Sequence, residues 1–430
     1  MAGAAPLPYQ QVDEQLTEPG FRSKRRLLFL LPFPPRLDAT HGGGRATAQL
    51  LTKLATRHHI ALLYLRAPSE PSLDPTLKER CELVEEVMRP NPGFSLAQGW
   101  SRIGSLIRGR PLWVAGSAVT AYRARVRTIA KTWRPDIVQI EYHVMGQYLC
   151  ALNGCRAPRV LTEHEPGAKA ARDMWQSRRG FARAPHYLNQ LAWERFERAI
   201  IGQVQAVVVF TEADRQAVTR LTQQTPIVRI SLGTMLSKHP LNPLGDQPLS
   251  LLFVGNFRHP PNVDAAMRLI TAIFPRVQAC FPGLVLHIVG DQPTSRIRQM
   301  ANENIIVTGR VSDVTPYLDH AAIAVVPLRL GGGMRVKVLE ALAAGKAVVA
   351  SPLAVEGLDV VDAEQILLAE TDQQFCDAIV QLLADPERRA SVATRARTWA
   401  CANLGWEKSI AAYESLYHGL IECSCVAQQL

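Results

Sequence analysis

The sequence has few cysteines, and they follow no metal-binding pattern. Among its 430 residues are eight cysteines, and no two of them form a CxxC pair. Structural zinc sites are usually built on such pairs, so the sequence predicts none. We expect free thiols in a reducing cytoplasm and no bound metal.

Long apolar runs are also absent. A helix that crosses a bilayer needs about 20 apolar residues. No apolar run here reaches that length, and the run at residues 27–31 is followed by Pro32, Pro34 and Pro35. This run is predicted to be a first strand. Residues 1–20 are polar and unpatterned, which predicts a disordered tail and no secretory signal. Any membrane contact is expected to be peripheral.

Two familiar binding patterns are missing as well. Nicotinamide dinucleotide binding is marked by a strand, a GxGxxG turn and a helix, with an acidic residue about 20 positions later. The chain has no such arrangement, and its arginines are scattered outside any known nucleic-acid-binding motif. We therefore expect neither a nicotinamide-dependent dehydrogenase nor a nucleic-acid partner.

Positive charge is concentrated in the first half of the chain. Residues 1–240 carry 33 Lys and Arg against 19 Asp and Glu, whereas residues 241–430 carry 15 against 19. The net charge of +10 is thus +14 in the first half and −4 in the second. This asymmetry favours contact with an anionic membrane leaflet or an acidic acceptor. A surface that only keeps the protein soluble is the alternative.

Short apolar runs alternate with helix-period segments, an order typical of parallel α/β sheets. In the first half the predicted strands are residues 27–31, 60–65, 137–141, 159–162 and 206–210. In the second half they are residues 249–254, 284–289, 305–307, 323–326, 347–350 and 366–368. Residues 89–125 fit this order poorly and are predicted to be an inserted helical pair. Prolines and a glycine at 240–248 mark a boundary between two Rossmann-like domains.

Residues 327–351 indicate a phosphate-binding unit. A predicted strand runs into three glycines at 331–333, and a helix-period segment follows until Gly345. Glycines let a diphosphate approach the backbone, and the helix start offers unpaired N–H groups and a positive dipole end. Arg335 and Lys337 add full charges there. The alternative is a turn that uses glycine for geometry alone.

Several short motifs follow one another in a fixed order. In the first half they are DATHGGGR at 38–45, RPDIVQIE at 134–141, VLTEH at 160–164, FTEAD at 210–214 and ISLG at 230–233. In the second half they are LFVGNFR at 252–258, VTGRV at 307–311 and the glycine segment that ends in Glu340. In this order they resemble family 4 glycosyltransferases over about residues 27–420. The resemblance implies the GT-B fold, in which two Rossmann-like domains face a central cleft.

The resemblance also implies the domain boundaries. The first, acceptor-side domain is expected at residues 21–238, after the tail, and the linker at 239–248. The nucleotide-sugar domain is expected at 249–404. Residues 405–430, with the aromatic anchors Trp406 and Tyr413, would form a final helix that crosses back to the first domain.

The donor signature resembles that of a subgroup with a glycine-rich start and then Arg-x-Lys-x-Leu-Glu. Gly332 stands where the commoner signature has a glutamate that contacts the donor sugar. Asn256 and Asn262 stand near the positions of two cations that are usual in the family. Other cations are expected to neutralise the diphosphate leaving group instead: Arg258, Arg335 and Lys337.

The resemblance places the donor in the second domain. The candidate donor-binding residues are Gly255, Arg258, Arg310, Val311, Gly332, Gly333, Met334, Arg335, Lys337 and Glu340. Backbone N–H groups at 332–334 would assist the cations at the phosphates. Glu340 would accept hydrogen bonds from the ribose hydroxyls, as the matching family glutamate does, with an ordinary surface charge as the alternative. The backbone at Arg310 and Val311 would contact the base.

His164 is the candidate catalytic residue, because it ends a predicted strand at the edge where α/β proteins bind ligands. The resemblance implies that it hydrogen-bonds the donor sugar or orients the acceptor; a structural polar residue is the alternative. Its neighbours Glu163 and Glu165 are expected to tune its charge. The residues expected to frame the acceptor pocket are His41, Gly43, Gly44 and Arg45.

These features predict a retaining glycosyltransferase of the hexosyltransferase type, working without cofactor or metal. Its donor would be a nucleotide diphosphate sugar, and its acceptor would be a glycan or a lipid-linked molecule. Polysaccharide or surface-glycan synthesis is the expected setting, in the cytoplasm or at the inner face of the plasma membrane. The alternatives are a non-catalytic protein of this fold that binds nucleotide sugar or glycan, and a nucleotide-sugar epimerase.

Overall fold

The computed structural model describes residues 23–39, 41–89, 111–176, 183–236, 239–331 and 335–426. Within these residues the chain forms two parallel sheets, one in each half. The predicted tail at residues 1–20 and most of the predicted insertion lie outside the described residues. No described helix is both long and apolar enough to span a membrane.

The first half forms a seven-stranded parallel sheet. Its strands are β1 Arg26–Leu31, β2 His59–Arg66, β3 Leu83–Met88, β4 Ile137–Glu141, β5 Arg159–Glu163, β6 Ala206–Val209 and β7 Ile227–Arg229. Their spatial order is β3-β2-β1-β4-β5-β6-β7. The winding direction changes between β1 and β4, which opens a crevice at the carboxyl ends of the strands.

Helices connect these strands. They are α1 Gly42–Leu54, α2 Pro75–Arg80, α3 Leu112–Gly116, α4 Thr120–Thr132, α5 Gly167–Gln176, α6 Arg183–Ile201 and α7 Glu212–Thr219, with a 3₁₀ segment at His143–Leu152. Alternate residues of β1 belong to two different cores: Leu27 and Phe29 pack in one, Leu28 and Leu30 in the other. The sheet is therefore covered on both faces, which makes its central strands continuous apolar runs in the sequence.

The second half repeats this architecture with six parallel strands. They are β8 Ser250–Val254, β9 Val285–Val289, β10 Ile305–Gly309, β11 Ile323–Val326, β12 Ala347–Ala350 and β13 Leu367–Leu368. Their spatial order is β10-β9-β8-β11-β12-β13, so the winding direction changes between β8 and β11. The helices are α8 Pro260–Arg268, α9 Phe274–Cys280, α10 Ser295–Gln299, α11 Thr315–His320, α12 Val336–Ala343, α13 Asp372–Ala384 and α14 Pro386–Asn403. A π-helical turn at Leu269–Ile273 and a 3₁₀ turn at Pro352–Val355 complete this half.

The last helix, α15 Trp406–Val426, crosses back to the first domain. The Trp406 indole Nε1 donates a hydrogen bond to Gln49 Oε1 on α1, at 2.8 Å. Further along, the Tyr417 hydroxyl donates to Gln139 Oε1 on β4, at 3.1 Å. These two hydrogen bonds attach α15 to helix α1 and strand β4 of the first domain.

The predicted strands are all present, with ends that differ by a few residues. Two strands escaped prediction, β3 and β7, and both lie at the edges of the first sheet. β3 contains Glu85 and Glu86, and β7 is only three residues long. Edge strands bury less surface, so they need no continuous apolar run. In the predicted insertion, α3 and the start of α4 are helical.

Candidate active site

A cleft of about 500 Å³ lies between the two domains. One wall consists of the loops that follow β1, β4, β5 and β6, and the other of the loops that follow β8, β9, β10 and β11. Both walls are thus built from the carboxyl ends of parallel strands, where α/β proteins place their ligands.

The start of α1 forms part of the first-domain wall. The Gly44 backbone N–H donates to His41 Nδ1 at 2.9 Å, so His41 caps the helix with its imidazole ring. Burial lowers the pKa of His41 to about 4, which keeps the ring neutral at pH 7. At Gly43 an added Cβ would lie 1.8 Å from the Tyr142 hydroxyl oxygen. A residue with a Cβ at this position would therefore have to displace the Tyr142 side chain.

His164 is held in one orientation by two neighbours. Its ring stacks on Tyr142 with the centroids 3.9 Å apart, and its Nε2 lies 2.6 Å from Glu141 Oε2. A carboxylate only accepts hydrogen bonds, so Nε2 carries a proton, and Nδ1 of the neutral imidazole is then an acceptor. Glu141 also accepts from Gln139 Nε2 at 3.0 Å. Since Gln139 accepts from Tyr417 of α15, a buried network connects the last helix to His164.

Glu163, which was expected to tune the charge of His164, is not a hydrogen-bond partner of that residue. Its side chain is buried and lies 2.7 Å from His143 Nδ1. Glu141 reaches His164 instead, from the neighbouring strand β4. Successive residues of a strand point to opposite faces, so the residue directly before His164 is carried away from it. Glu165 lines the cleft.

His143, Glu163 and Glu197 form a buried cluster that has the residue types of a metal site. Their nearest ligand atoms lie within 4.8 Å of one another. Burial opposes the charge on His143, but the two glutamates outweigh it and raise its pKa. Burial raises the pKa of Glu197 to about 8, although this carboxyl accepts hydrogen bonds from the Gly167 and Ala168 N–H groups at the start of α5. The ion pair and the helix start account for the cluster, and the absence of a bound metal stays a prediction.

Two cations lie on the second-domain wall at the start of α12. Arg335 is the residue that caps this helix, and Lys337 is its second residue. Lys337 Nζ donates to Asn262 Oδ1 at 2.6 Å and lies 4.5 Å from the centroid of the Phe253 ring. Burial and, to a smaller extent, the charge on Arg335 together lower the pKa of Lys337 to about 7. Burial likewise lowers the pKa of Arg335.

Glu340 and Arg45 connect the two walls. Arg45 donates from Nε to Glu340 Oε1 at 3.2 Å and from Nη2 to Oε2 at 3.3 Å. A second link joins Arg310 to the Asp38 carbonyl oxygen at 3.3 Å. The predicted acceptor side and the predicted donor side therefore face each other across one cleft.

Most of the predicted site residues lie on the cleft wall. Those that line it are His41, Gly43, Arg45, His164, Gly255, Arg310, Val311, Arg335 and Lys337. Gly44 is buried in the first turn of α1, and Glu340 reaches the cleft through Arg45. Arg258 is exposed and not among the lining residues, whereas the adjacent His259 is. Gly332, Gly333 and Met334 lie outside the described residues, so their contacts with phosphate stay predictions.

Sequence reasoning missed several lining residues, above all Tyr142. This residue directly follows β4 and adopts a positive φ of 68°, which is rare for a residue other than glycine. Its position at the carboxyl end of a central strand was the available signal. Asn256 and Asn262 were noticed only as replacements for cations, yet both line the cleft.

Two Rossmann-like sheets facing a cleft, with a last helix that returns to the first domain, define the GT-B fold. Comparison with known families agrees with this class. Residues 41–233 match the family described as "Glycosyl transferase 4-like domain", and residues 248–385 match "Glycosyl transferases group 1". Because the two matches together cover about three quarters of the chain, the chain belongs to this group of glycosyltransferases.

Known proteins share the fold at low sequence identity. Sucrose-phosphate synthase from Thermosynechococcus elongatus superposes with a TM-score of 0.71 at 17% identity, over 93% of this chain and 100% of that one. Anabaena Alr3699/HepE, solved in complex with UDP and glucose, gives 0.62 at 13% identity, over 91% and 99%. An uncharacterized glycosyltransferase of Methanocaldococcus jannaschii is 28% identical over 149 residues, which span 32% of this chain and 38% of that protein.

Proposed function

We propose that the protein transfers a hexose from a nucleotide diphosphate sugar to a glycan or lipid-linked acceptor. The observation that carries this proposal is the composition of the cleft. Arg335 and Lys337 lie at the start of a helix on one wall, and His164, oriented by Glu141, lies on the other. Cations and a helix start suit a diphosphate, and an oriented acceptor nitrogen suits a sugar hydroxyl.

The donor is proposed to lie along the second-domain wall. As the bond between the anomeric carbon and the diphosphate breaks, negative charge grows on the leaving phosphate, and Arg335 and Lys337 stabilise it. When the donor binds, Glu340 releases Arg45 and accepts hydrogen bonds from the ribose hydroxyls instead. The backbone at Arg310 and Val311 contacts the base. Protein cations take the part that a metal has in other transferases, so we propose that no metal is needed.

On the first-domain wall, the Nδ1 atom of His164 accepts a hydrogen bond from a hydroxyl of the donor sugar or the acceptor. We propose that the reaction retains the anomeric configuration. The acceptor oxygen attacks on the face from which the phosphate departs. A new bond joins that oxygen to the anomeric carbon, the bond to the diphosphate breaks, and the phosphate takes the hydroxyl proton.

The finer assignment is also a proposal. Arg335, Lys337 and Glu340 are consistent with the subgroup whose donor signature reads Arg-x-Lys-x-Leu-Glu. We propose a role in polysaccharide or surface-glycan synthesis in the cytoplasm, with peripheral contact between the basic first domain and an anionic inner leaflet. Because the HepE structure was solved with UDP and glucose, UDP-glucose is the first donor to test.

A non-catalytic protein of the same fold is the second candidate. It is favoured by Gly332, which stands where the commoner signature has a sugar-contacting glutamate. Such a protein would bind nucleotide sugar without hydrolysing or transferring it. An epimerase would interconvert free nucleotide sugars with no acceptor present.

A thermal-shift screen with UDP, GDP, ADP and their common sugars tests the proposed donor site. One diphosphate is expected to raise the melting temperature selectively, because a ligand that binds only the folded state stabilises it. Glu340→Ala removes hydrogen bonds to a charged group, worth about 1.5–3 kcal/mol, so affinity is expected to fall about 10- to 100-fold. Glu387→Ala, at an exposed residue of α14, is the matched control and keeps the shift.

Product analysis completes this test. Mass spectrometry of reactions with the selected donor is expected to show slow hydrolysis without acceptor and transfer with a suitable one. Binding without turnover would favour the non-catalytic candidate, and conversion to an isomeric nucleotide sugar would favour the epimerase. If no nucleotide shifts the folded protein, the proposed donor site is wrong.

Donor binding is expected to weaken as the pH rises above about 7. Burial and the charge on Arg335 lower the pKa of Lys337 to about 7, and a diphosphate beside it raises the pKa again. Only the ammonium form attracts the diphosphate, so affinity for the selected diphosphate sugar is expected to fall by up to about tenfold per pH unit above this value. Below it, affinity levels off.

Titration calorimetry in buffers of different ionisation enthalpy measures this coupling. Binding at a pH above 7 is expected to take up a proton, approaching one per site. Lys337→Met is expected to bind more weakly and to lose the proton uptake. Proton uptake by this variant equal to that of the wild type would show that another group titrates.

A further inference from the structure

A second concave site lies on the first domain, outside the cleft. Its volume is about 490 Å³, and its walls are the end of α4, the turn that leads into β4 and the turn that leads into β5. Four of the lining residues are cations, and no described lining residue is acidic. We call this site the basic pocket; its cations are Arg127, Lys131, Arg134 and Arg156.

The basic pocket and the cleft occupy opposite edges of the same sheet. The cleft is reached from the carboxyl ends of β4 and β5, through Tyr142 and His164. The basic pocket lies at the amino ends of these two strands, around Pro135 and Ala157. A ligand bound there would not touch the proposed donor or acceptor, so the pocket needs an explanation of its own.

The charges of the basic pocket lack counter-ions within the described part of the chain. None of the four cations forms an ion pair there, and all four residues are exposed, whereas Arg125 on the same helix reaches Glu85 at 3.3 Å. The position of Lys131 at the end of α4 suits the helix dipole. Arg134, which follows the helix end directly, shares this benefit, whereas Arg127 and Arg156 lie away from the helix end. Like charges gathered around one concavity repel each other unless an anion lies between them.

At Arg134 a charged residue occupies a backbone conformation that glycine would adopt more easily. It follows the end of α4 with a positive φ of 51°, in the left-handed region where a helix end usually places glycine. Glycine would adopt this turn without strain but would remove a guanidinium from the pocket rim. The arginine is therefore better explained by its side chain than by the turn.

We propose that the basic pocket binds a phosphate-bearing ligand. Guanidinium groups match phosphate oxygens with paired hydrogen bonds, and a lysine adds a compact charge. The less polar part of the ligand would rest on the small apolar residues of the wall: Ala130, Ala151 and Ala157. The phosphate has two possible sources, the headgroup of an anionic membrane lipid and a soluble phosphate ester.

The test compares two triple variants of the full chain. The pocket variant is Arg127→Gln/Lys131→Gln/Arg156→Gln, which leaves the strained turn intact. The control variant is Lys78→Gln/Arg195→Gln/Arg220→Gln, which removes the same charge from exposed positions elsewhere on the first domain. Melting temperatures close to that of the wild type confirm that both variants fold. If the pocket variant does not fold, a single Arg156→Glu charge reversal replaces it.

Two probes distinguish the sources of phosphate. Vesicles of phosphatidylglycerol and phosphatidylcholine test a lipid headgroup by co-sedimentation at low salt, and glycerol 3-phosphate tests a soluble ester by calorimetry. With each exposed cation near an anionic surface contributing about a factor of five, the pocket variant is expected to bind vesicles about 100-fold more weakly. The control variant is expected to lose less than about fivefold.

Binding of vesicles but not of the ester would assign a lipid headgroup, and the reverse a soluble ligand. Equal losses in the two triple variants would overturn the proposal, because diffuse charge would then explain the binding. So would a wild type that binds neither probe. The outcome does not depend on the proposed transfer reaction, since the cleft is intact in both variants.

Discussion

Gly43→Ala is expected to reduce sugar transfer by at least about 100-fold while the protein stays folded. The added methyl group would lie 1.8 Å from the Tyr142 hydroxyl oxygen and 3.5 Å from His164 Nδ1. Tyr142 would have to move, and its ring is stacked on His164. The backbone at Tyr142 already has a positive φ, which leaves it little freedom to adapt. The substitution therefore displaces the proposed catalytic residue.

Steady-state kinetics and thermal unfolding check this prediction together. Overpacking at one site usually costs about 1–3 kcal/mol, so the melting temperature is expected to fall by a few degrees only. The control is Gly283→Ala, since an added Cβ there meets no atom within 4 Å. A Gly43→Ala enzyme with near-normal kcat/KM would show that the positions of Tyr142 and His164 do not matter for transfer.

The second large effect is expected at Glu141, whose two oxygens both accept hydrogen bonds. One accepts from Gln139 Nε2 and the other from the protonated Nε2 of His164. In Glu141→Gln one oxygen becomes a donor amide. If the amide faces His164, the proton moves to Nδ1 and the acceptor nitrogen is lost; if it faces Gln139, two donors oppose each other. Transfer is expected to fall about 100-fold.

A double-mutant cycle separates this effect from a general loss of packing. His164→Ala is expected to lower kcat/KM by a similar factor. The double variant is expected to be no worse than His164→Ala alone, because Glu141 acts through His164. Additive losses would instead mean that Glu141 affects the reaction by another route. Tyr417→Phe, which removes the hydroxyl donor to Gln139, is expected to give a weaker effect of the same kind.

This buried network gives the last helix a role in the site. Tyr417 lies on α15, far along the chain from His164, yet three hydrogen bonds through the side chains of Gln139 and Glu141 connect them. The helix that returns to the first domain therefore supports the orientation of the proposed catalytic residue as well as the packing of the domains. Changes to α15 that break this network are therefore expected to disturb the orientation of His164 in the cleft.

Much of the architecture followed from local pattern. The strands Ile323–Val326 and Ala347–Ala350 were predicted without error because both are buried on each face and therefore uniformly apolar. The strand Leu83–Met88 was not, because an edge strand can carry Glu85 and Glu86. Burial on both faces makes even a four-residue strand uniformly apolar and therefore recognisable in the sequence, whereas an edge strand need not be apolar.

The site residues, like the strands, were predictable only where a local sequence pattern marks them. Sequence motifs located His164, the glycines around α1 and the cations at the start of α12, because a strand end or a helix start is a local feature. The partner of His164 depended on the register between β4 and β5, which aligns Glu141 with Thr162. The pair Arg45 and Glu340 joins residues 295 positions apart. Such contacts are set by strand order and by the approach of the two domains, and no local pattern records either.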